Sequence, residues 1–379
     1  MNDSNSPNRY VTVVGDPNDI NTWSNIPYFF LQAGKQQGFL DGGLPLKPER
    51  LRLQRWAWNL WMLLRTGSYG GFQYSEFFLN CLFDQVAVDS EHDEFISHFP
   101  LLPPKPTQHD YRVSYYIDAT LKQNFDDYGV AANVTPVMQK RAVEQERRNY
   151  HHADRVVTMS RWAADSVVED YGVPDEQVHV VPGGANLREK DLPDSVGSTA
   201  AETLQPLRLG FIGKNWQRKG LPFLLRVAES LEEQGIEVEV SAIGPEADDL
   251  PDHRLLQTEG FIDKDSDLPH FVEAVRSFHF GCLFSSIEAF GISNVECLRL
   301  GIPVLAFDVG GIPDTVPDGC GMLFDPDASP ADVARRVLPF VRDSARYHEW
   351  SSRIQGRTHD FTWNRVVNSF VEIWSVDRS

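Results

Sequence analysis

Apolar and polar positions along this chain alternate between two rhythms. Short apolar runs end in glycine-bearing turns, and each is followed by a longer stretch with apolar positions at helical spacing. Phe280 to Phe284 reads as a buried parallel strand, Ile292 to Leu300 as a helix and Val304 to Phe307 as the next strand, which makes one βαβ unit. The same rhythm appears at Tyr10 to Val14, which runs into Gly15-Asp16-Pro17. It returns at Arg112 to Ile117, Asp154 to Ser160, Leu207 to Gly213 and Glu237 to Gly244. Both halves alternate strand and helix signals without a sequence repeat, so the pattern predicts an α/β chain with parallel sheets.

The loop after the Phe280 run holds the densest candidate chemistry. Glu288 follows the strand, Phe290-Gly291 make a tight turn, and Ile292, Ser293 and Asn294 open a helix whose free N–H groups and dipole favour an anion. Glu296 lies eight residues after Glu288, so both carboxylates can face one crevice at the carboxyl end of the sheet. Two acids flanking an anion site suggest a sugar held through its hydroxyls. A second cluster follows Leu207 to Gly213, where Lys214, Arg218 and Lys219 precede a helix from Leu221. A strand, a glycine turn, clustered cations and a helix N-terminus can clamp a pyrophosphate.

The amino half offers less. After Asp16 the loop runs through Trp23, Ser24, Asn25 and Pro27; Ser24 or Asn25 can cap a helix whose first turn holds the proline. Asp118 follows Arg112 to Ile117, where α/β sheets place polar ligand contacts or a capped turn. Arg161, after Ser160, either meets a phosphate or pairs with an acidic neighbour. Asp265-Ser266-Asp267 reads as a helix-capping surface loop.

Composition narrows the classes. The 379 residues suit two domains, and 41% hydrophobic with 23% charged residues is an ordinary globular balance. A net charge of −19 argues against a nucleic-acid partner, which needs a basic footprint. Cys81, Cys282, Cys297 and Cys320 form no close pair, so neither a zinc knot nor a disulfide framework is expected, and a reducing cytoplasm is favoured. The polar Met1 to Pro7 stretch lacks the apolar core of a signal peptide, and no apolar run reaches a membrane span.

One segment departs from the acidic average. Lys47 to Arg65 holds five basic residues, one acid and three tryptophans. Basic groups beside Trp and Leu at helical spacing are how an interfacial helix meets anionic lipid, at the inner membrane face if the chain is cytoplasmic. The other reading is a core-packed helix with a solvated basic end. The segment lies in the less acidic half, with 18 basic against 24 acidic residues through residue 190 and 17 against 30 beyond it.

The run Ser285 to Asp314, with its Glu-x7-Glu spacing, Gly301-Ile302-Pro303-Val304 and Gly310-Gly311-Ile312-Pro313-Asp314, resembles the retaining glycosyltransferases of family 4. That resemblance implies the GT-B architecture, two Rossmann-like domains facing across a cleft. It covers residues 207 to 375 well and 10 to 186 loosely. It implies an acceptor-side domain over 1–187, a linker over 188–206, a donor domain over 207–362 and a last helix over 363–379 that packs back on the first domain. By resemblance, Glu288 contacts the donor sugar and Glu296 the ribose. Lys219, supported by Lys214 or Arg218, binds the diphosphate, and Phe261 and Ile262 lie against the nucleobase. Phe290, Gly291, Ile292 and Ser293 line the donor site. Asp118 is the amino-domain candidate for catalysis, and Asp16, Trp23, Ser24, Asn25 and Arg161 are acceptor-side candidates.

The implied activity is metal-independent transfer of a hexose from a nucleotide-diphosphate sugar, such as a UDP- or GDP-sugar, to a sugar, lipid or small-metabolite hydroxyl, with no cofactor besides that co-substrate. Two departures from the family pattern, a missing Gly-Gly pair in the first loop and Lys214 where arginine is usual, keep a nucleotide-sugar binding module as an alternative. An epimerase or a disaccharide phosphorylase of the same architecture is another. A dinucleotide dehydrogenase is not expected, since no Gly-x-Gly-x-x-Gly follows Val14 or Ile212.

Overall fold

The computed structural model describes residues 8–67, 69–86, 94–104, 111–128, 134–193 and 204–375. It divides into two compact units, Met1–Pro182 with Val366–Ser379, and Gly183–Arg365. Of the expected linker over 188–206, residues 194–203 lie outside the described residues. Residues 188–191 are tied into the second unit by ion pairs from Arg188 to Asp265 and from Arg299 to Glu189.

The first unit carries β1 (Arg9–Val14), β2 (Gly42–Leu46), β3 (Glu94–Ser97), β4 (Arg112–Ile117), β5 (Arg155–Thr158) and β6 (Val178–Val180) in one sheet of order β2-β1-β3-β4-β5-β6. Every pairing is parallel. The central strands β3 and β5 are buried along their whole length, as a sheet covered on both faces requires. Pro45, which has no N–H for a ladder, sits on the edge strand β2. Its helices are α1 (Ile26–Gln36), α2 (Arg52–Thr66), α3 (Glu76–Phe83), α4 (Leu121–Asp126), α5 (Pro136–His152) and α6 (Arg161–Glu169).

The second unit repeats the plan with β7 (Leu207–Ile212), β8 (Val238–Ile243), β9 (Leu256–Gly260), β10 (Phe280–Leu283), β11 (Val304–Phe307) and β12 (Gly321–Phe324). Their order is β12-β11-β10-β7-β8-β9, again all parallel. Between the strands run α7 (Leu221–Glu232), α8 (Leu268–Arg276), α9 (Ile292–Arg299) and α10 (Ile312–Thr315), and after β12 come α11 (Pro330–Arg342) and α12 (Ser344–Gln355). Helix α13 (Trp363–Ser375) begins in this unit, where Trp363 Nε1 donates to Asn186 Oδ1 at 3.0 Å. From Val366 onward it belongs to the first, where Phe370 packs on Phe30 at 4.8 Å between ring centres.

That end of the first unit is closed by a polar knot in an apolar setting. Glu94, fully buried, accepts from Arg9 Nε at 2.8 Å and from Trp374 Nε1 at 2.6 Å, while Arg9 stacks over Phe39. Each buried polar atom is thereby matched, which is what burying a charge demands.

Strand order reverses at one place in each sheet: between β1 and β3, and between β7 and β10. Loops leaving the carboxyl ends of such neighbours diverge and open a crevice, the usual ligand position of parallel α/β sheets. Most of the candidate residues lie on loops at these two points. Among the described residues no helix is long and apolar enough to cross a membrane.

Candidate active site

In the second unit the loop after β7 and the loop after β10 meet. Gly220, at φ +83°, allows the approach: a Cβ there would stand 2.0 Å from the Phe284 carbonyl oxygen. Ser286 N–H donates to the Arg218 carbonyl at 3.0 Å, locking the two loops side by side. Two cations of one loop thereby converge on one carboxylate of the other. Lys219 Nζ lies 3.0 Å from Glu288 Oε2, and Arg218 Nη1 reaches the same oxygen at 3.4 Å. Lys219 and Glu288 keep only 14% and 12% of their side-chain surface exposed, so their interaction is screened less than a surface pair.

Glu288 itself sits in the loop, beyond the end of β10 at Leu283. Its carbonyl accepts from Gly311 N–H at 2.9 Å, and Gly310, at φ +54°, passes so close that a Cβ would stand 2.1 Å from that oxygen. The Gly310-Gly311 pair therefore sets the position of the Glu288 backbone. Gly291, at φ +80°, makes the expected tight turn and is the N-terminal boundary of α9. Phe290 and Ser293 are buried and Ile292 is half-buried at the start of that helix.

Glu296, also on α9, is almost fully buried, with 2% of its side chain exposed, and is held by an ion pair to Lys264. The sequence placed both glutamates toward one crevice; in the fold each has its own cation, Lys219 with Arg218 for Glu288 and Lys264 for Glu296. Lys264 was missed because its partner lies 32 positions away in the chain, and nothing in the flanking Phe261-Ile262 and Asp265-Ser266-Asp267 stretches points to it.

Lys214 does not join the Lys219 cluster. Its ammonium lies over the Phe261 ring, 4.0 Å from the centroid, a cation–π contact. Phe261 is half exposed while Ile262 is buried, and the Phe261 N–H donates to Glu246 Oε1 at 3.2 Å. Glu246 is thus a second residue that sequence reasoning did not find. Asp267 caps α8 by accepting from His270 N–H, and Asp265 pairs with Arg188, in keeping with a capping loop.

The first unit places its candidates separately. Asp16 folds its carboxylate back on Asn18, accepting from that N–H at 2.9 Å. Trp23, Ser24 and Asn25 occupy left-handed backbone in succession, at φ 37°, 56° and 68°, a costly arrangement for non-glycine residues. The expected capping bond is not made. Asn25 stands at the N-cap of α1, but its amide turns back to donate to the Ile20 carbonyl. Pro27 does lie in the first turn. Asp118 is half-buried just beyond β4, and Arg161 is the exposed first residue of α6, after Ser160 caps that helix through Ala163 N–H.

His98 emerges here although the sequence singled out nothing at that position. It follows β3 at the reversal point of the first sheet and packs 5.1 Å from Trp23 between ring centres. Its Nδ1–H donates to the Tyr116 carbonyl at 2.7 Å, while Nε2 is buried without a protein partner among the described residues. Burial holds its pKa down to about 4, opposed by the Tyr116 bond, so the ring is neutral near pH 7. The available signal was a histidine shortly after the apolar Phe95-Ile96 pair.

Known proteins align with this arrangement in both units. Residues 201–357 match the family model described as Glycosyl transferases group 1, and residues 100–189 match the Glycosyltransferase Family 4 model. A D-inositol 3-phosphate glycosyltransferase of Nocardia farcinica is 28% identical over 244 residues, covering 61% of this chain and 54% of that protein. The chain therefore spans about half the length of that relative. Among solved structures, a sucrose-phosphate synthase from Thermosynechococcus elongatus superposes with a TM-score of 0.66 at 14% identity, over 97% of this chain and 98% of that one. Anabaena HepE in complex with UDP and glucose superposes with a TM-score of 0.61 at 13% identity, over 97% and 99%. Two six-stranded parallel sheets with such neighbours are the two-domain Rossmann-like α/β fold of the GT-B glycosyltransferases, with the Family 4 model matched in the first unit and the group 1 model in the second.

Proposed function

We propose that the chain is a retaining glycosyltransferase that moves a hexose from a nucleotide-diphosphate sugar to a hydroxyl acceptor. The observation that carries this is the convergence of Lys219, Arg218 and Glu288 where the order of the second sheet reverses, beside the N-terminus of α9. A leaving diphosphate gains negative charge as the bond from its oxygen to the sugar C1 breaks. Lys219, Arg218 and the α9 N-terminus supply preorganised positive potential at that point. With those cations taking up the charge, we assign no metal to the step. Glu288 accepts hydrogen bonds from the sugar hydroxyls and orients C1. Glu296 does the same for the ribose, and Phe261 offers its exposed face to the base.

The acceptor oxygen forms the new bond to C1 on the face the phosphate leaves, and its proton passes to the departing phosphate oxygen. Asp118, Arg161 and the Asp16 to Asn25 loop are assigned to the acceptor. A UDP-sugar is the first donor to test, because a structural neighbour was solved with UDP and glucose.

The test is hydrolysis of UDP-, GDP-, ADP- and dTDP-sugars without acceptor, followed by an acceptor screen with the donor that binds. Selective cleavage of one donor, lost in Glu288→Ala, supports the reading. Release of an isomerised sugar, or dependence on inorganic phosphate, would assign the site to an epimerase or a phosphorylase instead.

A further inference from the structure

Helix α2 presents its apolar face outward. Leu53, Trp56, Leu60, Trp61, Leu63 and Leu64 are all exposed, Leu53 and Leu64 at 81% and Trp56 at 66%, whereas Met62 on the opposite side is buried. At about 100° per residue, positions 53, 56, 60, 63 and 64 fall within one arc about 100° wide, the width of a stripe that normally faces a core. Beside it, Trp61 and Phe77 continue the apolar surface, and Phe77 is itself 52% exposed. Arginines stand at both ends of the stripe: Arg50, Arg52 and Arg55 toward its start and Arg65 at its finish, all exposed. From Arg50 to Arg65 the sequence has no acid.

The charges decide what covers this face. A second copy would bring two arginine clusters together, and the acids of this chain lie outside the segment. An anionic headgroup layer complements the arginines, and tryptophan and leucine beside arginine match the boundary between headgroups and acyl chains. With a net charge of −19 over the whole chain, other surfaces are repelled by such a layer, so contact is confined to this helix. We propose that α2 lies in the interface of an anionic lipid bilayer, with its leucines and tryptophans inserted and its arginines among the headgroups. This goes beyond the transferase reading and does not depend on it.

The test is flotation of the full chain with vesicles of phosphatidylglycerol and phosphatidylcholine in equal parts, against phosphatidylcholine alone. The expected result is binding to the anionic vesicles that weakens as salt rises. The triple variant R50Q/R52Q/R55Q should lower partitioning by about 100-fold, from about fivefold per arginine. The variant L53Q/L60Q/L64Q should abolish it. Both sets lie on the surface, so the far-ultraviolet circular dichroism and Tm should match the parent chain and exclude misfolding. Equal partitioning onto neutral and anionic vesicles, or none onto either, would overturn the proposal. So would a dimer in sedimentation that the leucine variant converts to monomer without any lipid effect.

Discussion

Lys219 Nζ and Glu288 Oε2 stand 3.0 Å apart, although one follows β7 and the other follows β10, 69 positions later in the chain. The pair joins the residue assigned to the diphosphate with the residue assigned to the sugar. Each partner has hydrogen-bonding capacity left for a ligand group, since an ammonium has three N–H donors and a carboxylate several acceptor sites.

Two residues that act on one transition state are not additive. Lys219→Ala should lower kcat by on the order of 10²-fold, the scale of one preorganised charge donor. Glu288→Ala should do likewise, and the double variant should lose little more than the worse single one. Steady-state donor turnover checks this; an unchanged kcat in Lys219→Ala removes that residue from the mechanism.

Gly310 tests the same site through its backbone. Its φ of +54° and the 2.1 Å separation between a built Cβ and the Glu288 carbonyl oxygen leave no room for a side chain. Gly310→Ala should displace Glu288, lowering kcat at least tenfold while the strain destabilises the fold by about 1–3 kcal/mol. Turnover measured well below the lowered Tm separates the two effects. A variant with parental turnover would show that the loop tolerates a shift of Glu288.

Much of the fold was legible because parallel strands buried on both faces are continuous apolar runs: β10 and β11 could be read directly from Phe280 to Phe284 and Val304 to Phe307. Glu288 and Lys219 were legible because they lie in the glycine-bearing loops that follow such strands. What escaped depends on distant partners. Nothing local marks Lys264 as the cation for Glu296, Glu246 as the acceptor for the Phe261 N–H, or His98 as the neighbour of Trp23. Helical periodicity showed that Leu53, Trp56, Leu60 and Leu64 share a face, but period alone does not say whether a face turns inward or outward. Asn25 was expected as a cap from residue type, yet its left-handed backbone aims the amide at Ile20 instead.

Lys264 and Glu296 should separate affinity for the nucleoside from affinity for the phosphates. Glu296→Gln weakens the acceptor assigned to the ribose, so UDP should bind about 10- to 100-fold less tightly, the range of a hydrogen bond to a charged group. Inorganic pyrophosphate should bind as before. Lys264→Met leaves a nearly buried carboxylate without its partner and should destabilise the fold by about 2–3 kcal/mol. Calorimetry of both ligands and urea unfolding read these outcomes; equal losses for UDP and pyrophosphate would move Glu296 away from the ribose.

Glu146 gives the first unit a pH signature. It is fully buried, and that burial pushes its pKa up from 4.5 to about 7, against the lowering effect of hydrogen bonds from Tyr171, Tyr150 and the Leu121 N–H. Because the folded pKa lies above the unfolded one, the folded chain holds a proton that the unfolded chain releases between those values. Its contribution to stability is full below about pH 4.5 and declines as pH rises to about 7, by a few kcal/mol at about 1.4 kcal/mol per unit. His98 and His279 act in the opposite sense, since burial lowers each from 6.5 to about 4 and stability falls as pH drops through that window. The parent curve therefore mixes both slopes, and the difference from Glu146→Gln isolates the carboxyl. Urea unfolding at pH 5 and pH 7.5 should show the parent losing stability relative to the variant on going to the higher pH. A constant difference would mean that Glu146 keeps the same proton in the folded and unfolded chains.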